Sequence, residues 1–177
     1  MLGKRVLVTG CGPIGALVVA AAKFHGAADV VVTDVVDEPL SIARRLGADR
    51  AINVAADPGA LDDYRADKGT VAVMIECSGK EQALRSGLDV LQPRGVMIQL
   101  GLGGDVSLPQ NLVVAKELSI LGSFRFHAEF ALATRLIDER RLDLTPLLTD
   151  SFGLDNVQEA FMTANDRRRA MKVQLTF

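Results

Sequence analysis

The segment Val6-Leu7-Val8-Thr9-Gly10-Cys11-Gly12-Pro13-Ile14-Gly15 constrains this chain more than any other. An apolar run ends in glycines spaced G-x-G-x-x-G, and a helix-forming stretch follows. A second apolar run then ends in Asp34, about 20 residues past the last glycine. Strand, tight turn, helix, strand and terminal acid, in that order, predict a dinucleotide-binding βαβ unit.

Each residue of the segment has a physical role in that reading. Gly10 permits the tight turn out of the strand. Gly12 lacks a Cβ, so a pyrophosphate can approach the backbone, and Gly15 lets the helix pack closely on the sheet. Pro13 suits the first helical turn, where its missing N–H would be unpaired anyway, and Ile14 follows it in the same turn. The helix N-terminus offers free N–H groups and a partial positive charge to the pyrophosphate. Asp34 would accept hydrogen bonds from the adenosine ribose hydroxyls and repel a 2′-phosphate. Val35, Val36, Asp37 and Glu38 supply no Arg or Lys for such a phosphate. The pattern therefore predicts NAD rather than NADP.

Along the chain, apolar runs alternate with helical segments, the pattern of a parallel sheet covered on both faces. The expected strands are Arg5–Thr9, Val30–Thr33, Arg50–Asn53, Val71–Glu76, Gly95–Leu100 and Leu118–Leu121. The expected helices are Pro13–Phe24, Pro39–Leu46, a weak one near Pro58–Ala66, Glu81–Leu91 and Ala128–Glu139. The fold class is α/β, a doubly wound Rossmann sheet of six strands in the order 3-2-1-4-5-6. Residues 1–145 would form the cofactor-binding domain. The rhythm breaks at Leu144–Gly153, where Pro146 and several Thr and Asp residues read as a boundary. Residues 146–177 would then hold a short helix, Leu154–Ala164, and an isolated alternating strand, Lys172–Phe177. That strand needs a partner surface not evident elsewhere in the chain.

Composition excludes several function classes. The 177 residues are 49% apolar with a formal net charge of −2, which suits one compact domain and gives no basic surface for nucleic acid. Arg167-Arg168-Arg169 is the one dense basic run and reads as a solvated helix end. No stretch reaches the ~18 apolar residues of a membrane span. The N-terminus lacks a signal-peptide layout. Two cysteines, Cys11 and Cys77, are too few for a disulfide framework and fit a reducing, cytoplasmic compartment. With His25 and His127 as the only histidines, no C-x-x-C and no H-E-x-x-H, the chain has no set of zinc ligands. His25 reads as a surface residue at a helix C-terminus, and His127 as structural or solvent-facing.

These motifs resemble the cofactor-binding half of the medium-chain dehydrogenase/reductase family. The likeness is strongest to its zinc-dependent polyol branch, the sorbitol and bacterial L-idonate dehydrogenases. The passages that carry it are Gly10 to Gly15, Val32-Thr33-Asp34, Leu46-Gly47-Ala48-Asp49, Glu76-Cys77-Ser78-Gly79, Gly95 through Gly103, Gly122-Ser123-Phe124-Arg125 and Lys172 to Phe177. The resemblance implies NAD(H) as cofactor, with Cys77 and Ser78 on the nicotinamide-ribose side. It implies that backbone at Leu100, Gly101 and Leu102, with Ser123 and Phe124, holds the carboxamide. It places Lys172 near the pyrophosphate and Arg125 toward a polyol substrate. Phe126 stands where the branch often has Tyr, which removes one substrate hydroxyl contact. The family's catalytic zinc, with its Gly-His-Glu stretch, would lie on a separate domain, to which residues 146–177 return. The implied reaction is hydride transfer from a polyol or sugar-acid secondary alcohol, L-idonate to 5-ketogluconate being the first choice. A homodimer through the sixth-strand edge is also implied. A zinc-independent NADPH-linked quinone reductase and a non-catalytic NAD(H)-binding module stand as alternatives.

Overall fold

A computed structural model describes residues 1–177. The main sheet is built from β1 (Arg5–Thr9), β2 (Asp29–Asp34), β3 (Arg50–Asn53), β4 (Val71–Glu76), β5 (Leu91–Gln99) and β6 (Ser119–Gly122). All its pairs are parallel, in the order β3-β2-β1-β4-β5-β6. The helices α1 (Pro13–Phe24), α2 (Asp37–Arg45), α3 (Glu81–Val90) and α4 (Gln110–Ala115) lie in crossovers between successive strands, and α5 (Glu129–Asp138) follows β6.

The period of two along the strands sorts their side chains into two cores. Val6 and Val8 of β1, with Val30 and Val32 of β2, pack against Ala16, Val19 and Leu40 of α1 and α2. The residues between them, Leu7 and Val31, face the other way, onto Leu84 and Leu88 of α3. Both faces of the central strands are thus buried, which is why their sequences read as unbroken apolar runs. Burying each such side chain contributes about 1.5–3 kcal/mol.

The strand order matches the sequence expectation, and several boundaries move. Helix α2 begins at Asp37, two residues before Pro39, and Pro39 then sits in the first turn, where no N–H is required. The weak helix near Pro58–Ala66 is a 3-10 segment, Asp62–Lys68, broken by the non-helical residues Ala66 and Asp67. Helix α4 has no counterpart among the expected helices: at six residues it is too short to show a helical period, and Leu112 packing on the α3-side core helps to hold it. Strand β5 starts at Leu91 and carries an irregularity before Val96.

The larger correction concerns the end of the chain. Leu148–Gly153, read as a boundary, is strand β7. It pairs in parallel with β8 (Lys172–Thr176), and helix α6 (Val157–Ala164) crosses between them. The last strand is therefore not isolated, because its partner is the segment that Pro146 and the Thr and Asp residues disguised. Leu147 and Met171 anchor this two-stranded unit in the core formed by α1, α2, β1 and β2.

Candidate functional site

At the carboxyl end of β1 the chain turns through Gly10, whose φ of +86° is accessible to glycine and unfavourable for other residues. A Cβ on Gly10 would come within 2.8 Å of the Ser78 backbone, so this glycine also admits the turn after β4. A Cβ on Gly15 would strike the Gly10 carbonyl, so Gly15 lets the first turn of α1 close over the loop. Gly12 differs: a Cβ there would meet nothing within 4 Å. It is the N-cap of α1, followed by Pro13, with no side chain bonded to the first amides. The amides of Ile14 and Gly15 have no backbone partner and the space beside Gly12 is open, an arrangement that suits an anion. Ile14, in the same turn, is 56% exposed.

Asp34 closes β2 next to this turn and is 6% exposed. Its carboxylate accepts the amide of Cys11 at 2.6 Å and those of Val35 and Val36 at 2.7 and 3.1 Å. It also accepts the Arg167 guanidinium at 2.9 and 3.1 Å. The residues after Asp34 carry no base, as the sequence showed. The fold nevertheless delivers one from the turn before β8, which corrects the reading of Arg167 as part of a solvated helix end. Asp34, Arg167, Gly12, Thr33, Cys77 and Ser78 are among the residues lining one cavity of about 510 Å³. Arg65 and Lys80 line it as well, giving the wall an excess of positive charge.

Glu76 at the end of β4 is fully buried and was not singled out from the sequence. Its carboxylate accepts the amides of Ser78 and Gly79, the Ser78 hydroxyl, and Gln99 Nε2 at 2.7 Å from β5. Its carbonyl accepts the amides of Leu100 and Gly101, each at 2.9 Å. One acid thus fixes the turns that follow both β4 and β5. In the sequence Glu76 shows only as an acid ending the apolar run Val71–Ile75 and as the first residue of the Glu76-Cys77-Ser78-Gly79 passage, and its partners on β5 are not local.

Cys77 and Ser78 lie in the cleft as expected. Burial, then the nearby Glu76 charge, pushes the Cys77 thiol up to about 12. Burial, then Asp34, does the same to Cys11, with Arg167 opposing. Both thiols are protonated near neutral pH and are poor nucleophiles. Gly101 and Leu102 line a neighbouring cavity of about 460 Å³, which shares Lys80 with the first. Leu100 packs against the core on the α1 side.

Other expected residues lie elsewhere. Ser123 donates its amide to the Gln99 carbonyl, Phe124 is exposed, and the Arg125 guanidinium stacks on the Phe124 ring at 4.8 Å. None of the three lines either cavity. Lys172 opens β8 at the surface, and the cation that its segment brings to the cleft is Arg167 instead. His25 ends α1 edge-on to Phe24, and His127 is exposed. No group of three His, Cys, Asp or Glu side chains could hold a metal ion. The residues present do not fit a zinc site, and a zinc would need ligands from outside these residues.

A family model described as zinc-binding dehydrogenase matches residues 13–139. The L-idonate 5-dehydrogenase (NAD(P)(+)) of Escherichia coli K12 is 39% identical over 176 residues, covering 99% of this chain and 51% of that protein. Its crystal structure superposes with a TM-score of 0.93. The L-threonine 3-dehydrogenase of Enterobacter sp. strain 638 is 38% identical over 168 residues, 91% of this chain and 48% of its own length. An alcohol dehydrogenase from E. coli CFT073, solved with NADH, is 26% identical with a TM-score of 0.87 over 99% of this chain and 52% of that one. The chain spans about half the length of the curated relatives it matches.

Proposed function

The chain belongs to the zinc-binding dehydrogenase family, and from that premise we propose that it binds NAD(H) and holds it for hydride exchange with a polyol or sugar-acid secondary alcohol. The observation that carries this reading is the convergence of two features on one cavity. The open N-terminus of α1 at Gly12 and the ribose-side acid Asp34 both line it. In the wider reading, residues 1–145 are the cofactor-binding domain and 146–177 the segment that joins a catalytic domain.

The residues divide the work by position. Amides at the start of α1, around Ile14, meet the pyrophosphate, which approaches over Gly12. Asp34 accepts the adenosine ribose hydroxyls. Cys77 and Ser78 border the nicotinamide ribose, and the backbone of Leu100, Gly101 and Leu102 meets the carboxamide. The bound nicotinamide supplies the hydride acceptor, and the protein supplies binding and orientation. Glu76 contributes indirectly, since it holds the turns that carry Ser78 and Gly101.

L-Idonate, oxidised at C5 to 5-ketogluconate, is the substrate of first choice, supported by the 39% identity above. The exposed edge of β6 suits pairing with a second copy. The two unpaired thiols suit a reducing compartment. The test is NAD reduction followed by absorbance, in a protein carrying this chain, with L-idonate and L-threonine compared at equal concentration. Faster turnover of L-idonate supports the reading. Faster turnover of L-threonine, or of neither, overturns the substrate choice.

A further inference from the structure

The geometry points to Arg167 as the residue that sets cofactor specificity: it admits an adenosine 2′-phosphate beside Asp34, so that the cleft accepts NADP(H) as well as NAD(H). This rests on the proposed nicotinamide cofactor and goes beyond it.

The argument starts from the carboxylate. An ionised carboxylate offers about four lone-pair sites. Those of Asp34 are taken by the amides of Cys11, Val35 and Val36 and by Arg167. The amides belong to the turn and to the strand end, and cannot leave without unfolding them. Arg167 can: its side chain is 55% exposed, whereas that of Asp34 is 4% exposed. Only Nη2 engages Asp34, and Nε and Nη1 have no partner in the protein. A ribose hydroxyl that seeks Asp34 must therefore displace Arg167, which makes the arginine a competitor of NAD.

With a phosphate at the 2′ position the same arginine changes role. Alone, Asp34 would repel the phosphate. Arg167 already neutralises that acid from the cleft wall, and its free N–H groups form the planar fork that suits phosphate oxygens. Arg65 and Lys80, which line the same cavity, add positive charge. The exclusion of NADP inferred from the residues next to Asp34 is thus lifted by a residue 133 positions away.

The experiment is calorimetric titration of the chain with NADH, NADPH, ADP and 2′,5′-ADP, in wild type, Arg167→Ala and Arg167→Lys. Wild type is expected to bind NADPH within about tenfold of NADH. Arg167→Ala should weaken NADPH and 2′,5′-ADP by about tenfold or more, while NADH and ADP stay level or tighten. Arg167→Lys, which keeps the charge without the fork, should fall between. An arginine that merely tethers the C-terminal segment would change both cofactors alike, and that result overturns the inference. Binding of NADH without NADPH in wild type also overturns it and leaves the cofactor reading intact. Binding of neither overturns both.

Discussion

Gln99 on β5 donates its amide to the buried carboxylate of Glu76 on β4 at 2.7 Å, and both residues line the cavity that neighbours the cofactor cleft. The same carboxylate takes the amides of Ser78 and Gly79. Its removal leaves several donors unpaired in a water-poor place. Glu76→Ala should lower stability by about 3 kcal/mol or more. Glu76→Gln, which keeps the shape but turns an NH2 toward the amides, should cost about 1–3 kcal/mol. Urea denaturation checks both, the midpoint falling with the slope unchanged.

Gly12 separates binding from folding. Its backbone is extended at φ −68°, and serine is a preferred N-cap, so Gly12→Ser should fold with stability within about 0.5 kcal/mol of wild type. Its hydroxyl would take an α1 amide and its Cβ would occupy the open space, so NADH affinity should fall by about tenfold or more. Gly10→Ala, by contrast, meets Ser78 at 2.8 Å in a left-handed conformation and should lose stability first. Thermal unfolding paired with NADH titration distinguishes the two.

Asp49 gives a pH signature. Burial raises its pKa, but the Val30 amide at 2.7 Å and Lys23 at 2.9 Å outweigh that and hold the carboxyl below its ordinary 3.8. A depressed acid contributes stability that is present above its unfolded pKa and lost as pH falls through the folded one. The Asp49 side chain is 40% exposed and its ion pair with Lys23 is screened by water, so Asp49→Asn should cost about 0.5 kcal/mol at neutral pH. The gap to wild type should shrink as pH drops below about 4. Denaturation midpoints across that range test the sign.

Cys11 and Cys77, with thiols pushed up to about 12, should react slowly with iodoacetamide at pH 8 in the folded chain. Both should react quickly in denaturant. Mass spectrometry of the time course gives the contrast, and rapid labelling of native Cys77, which is half-buried at the cavity wall, would contradict its raised pKa.

The parts legible in the sequence were those fixed by short-range geometry. Gly10, Gly12 and Gly15 lie within one turn of each other, and Asp34 follows one helix later, so spacing alone located the β1–α1–β2 unit and implied the strand order. The strand β7 was not legible, because Pro146 and the Thr and Asp residues have a turn's composition. Only the pairing with β8 makes that stretch a strand. Arg167 sat in a basic triplet indistinguishable from a solvated end, and its partner is far away in the chain. Glu76 could be seen to end a strand, but its donors on β5 became visible only once the sheet was assembled.

The most direct test of the cofactor cleft is an amide-resolved NMR titration of the isotope-labelled chain with NADH. The account predicts saturable shifts concentrated at Cys11, Gly12, Ile14, Val35 and Ser78, where the α1 N-terminus, the Asp34 turn and the β4 turn meet. An unchanged spectrum, or shifts confined to β6 and the β7–β8 pair, would contradict it.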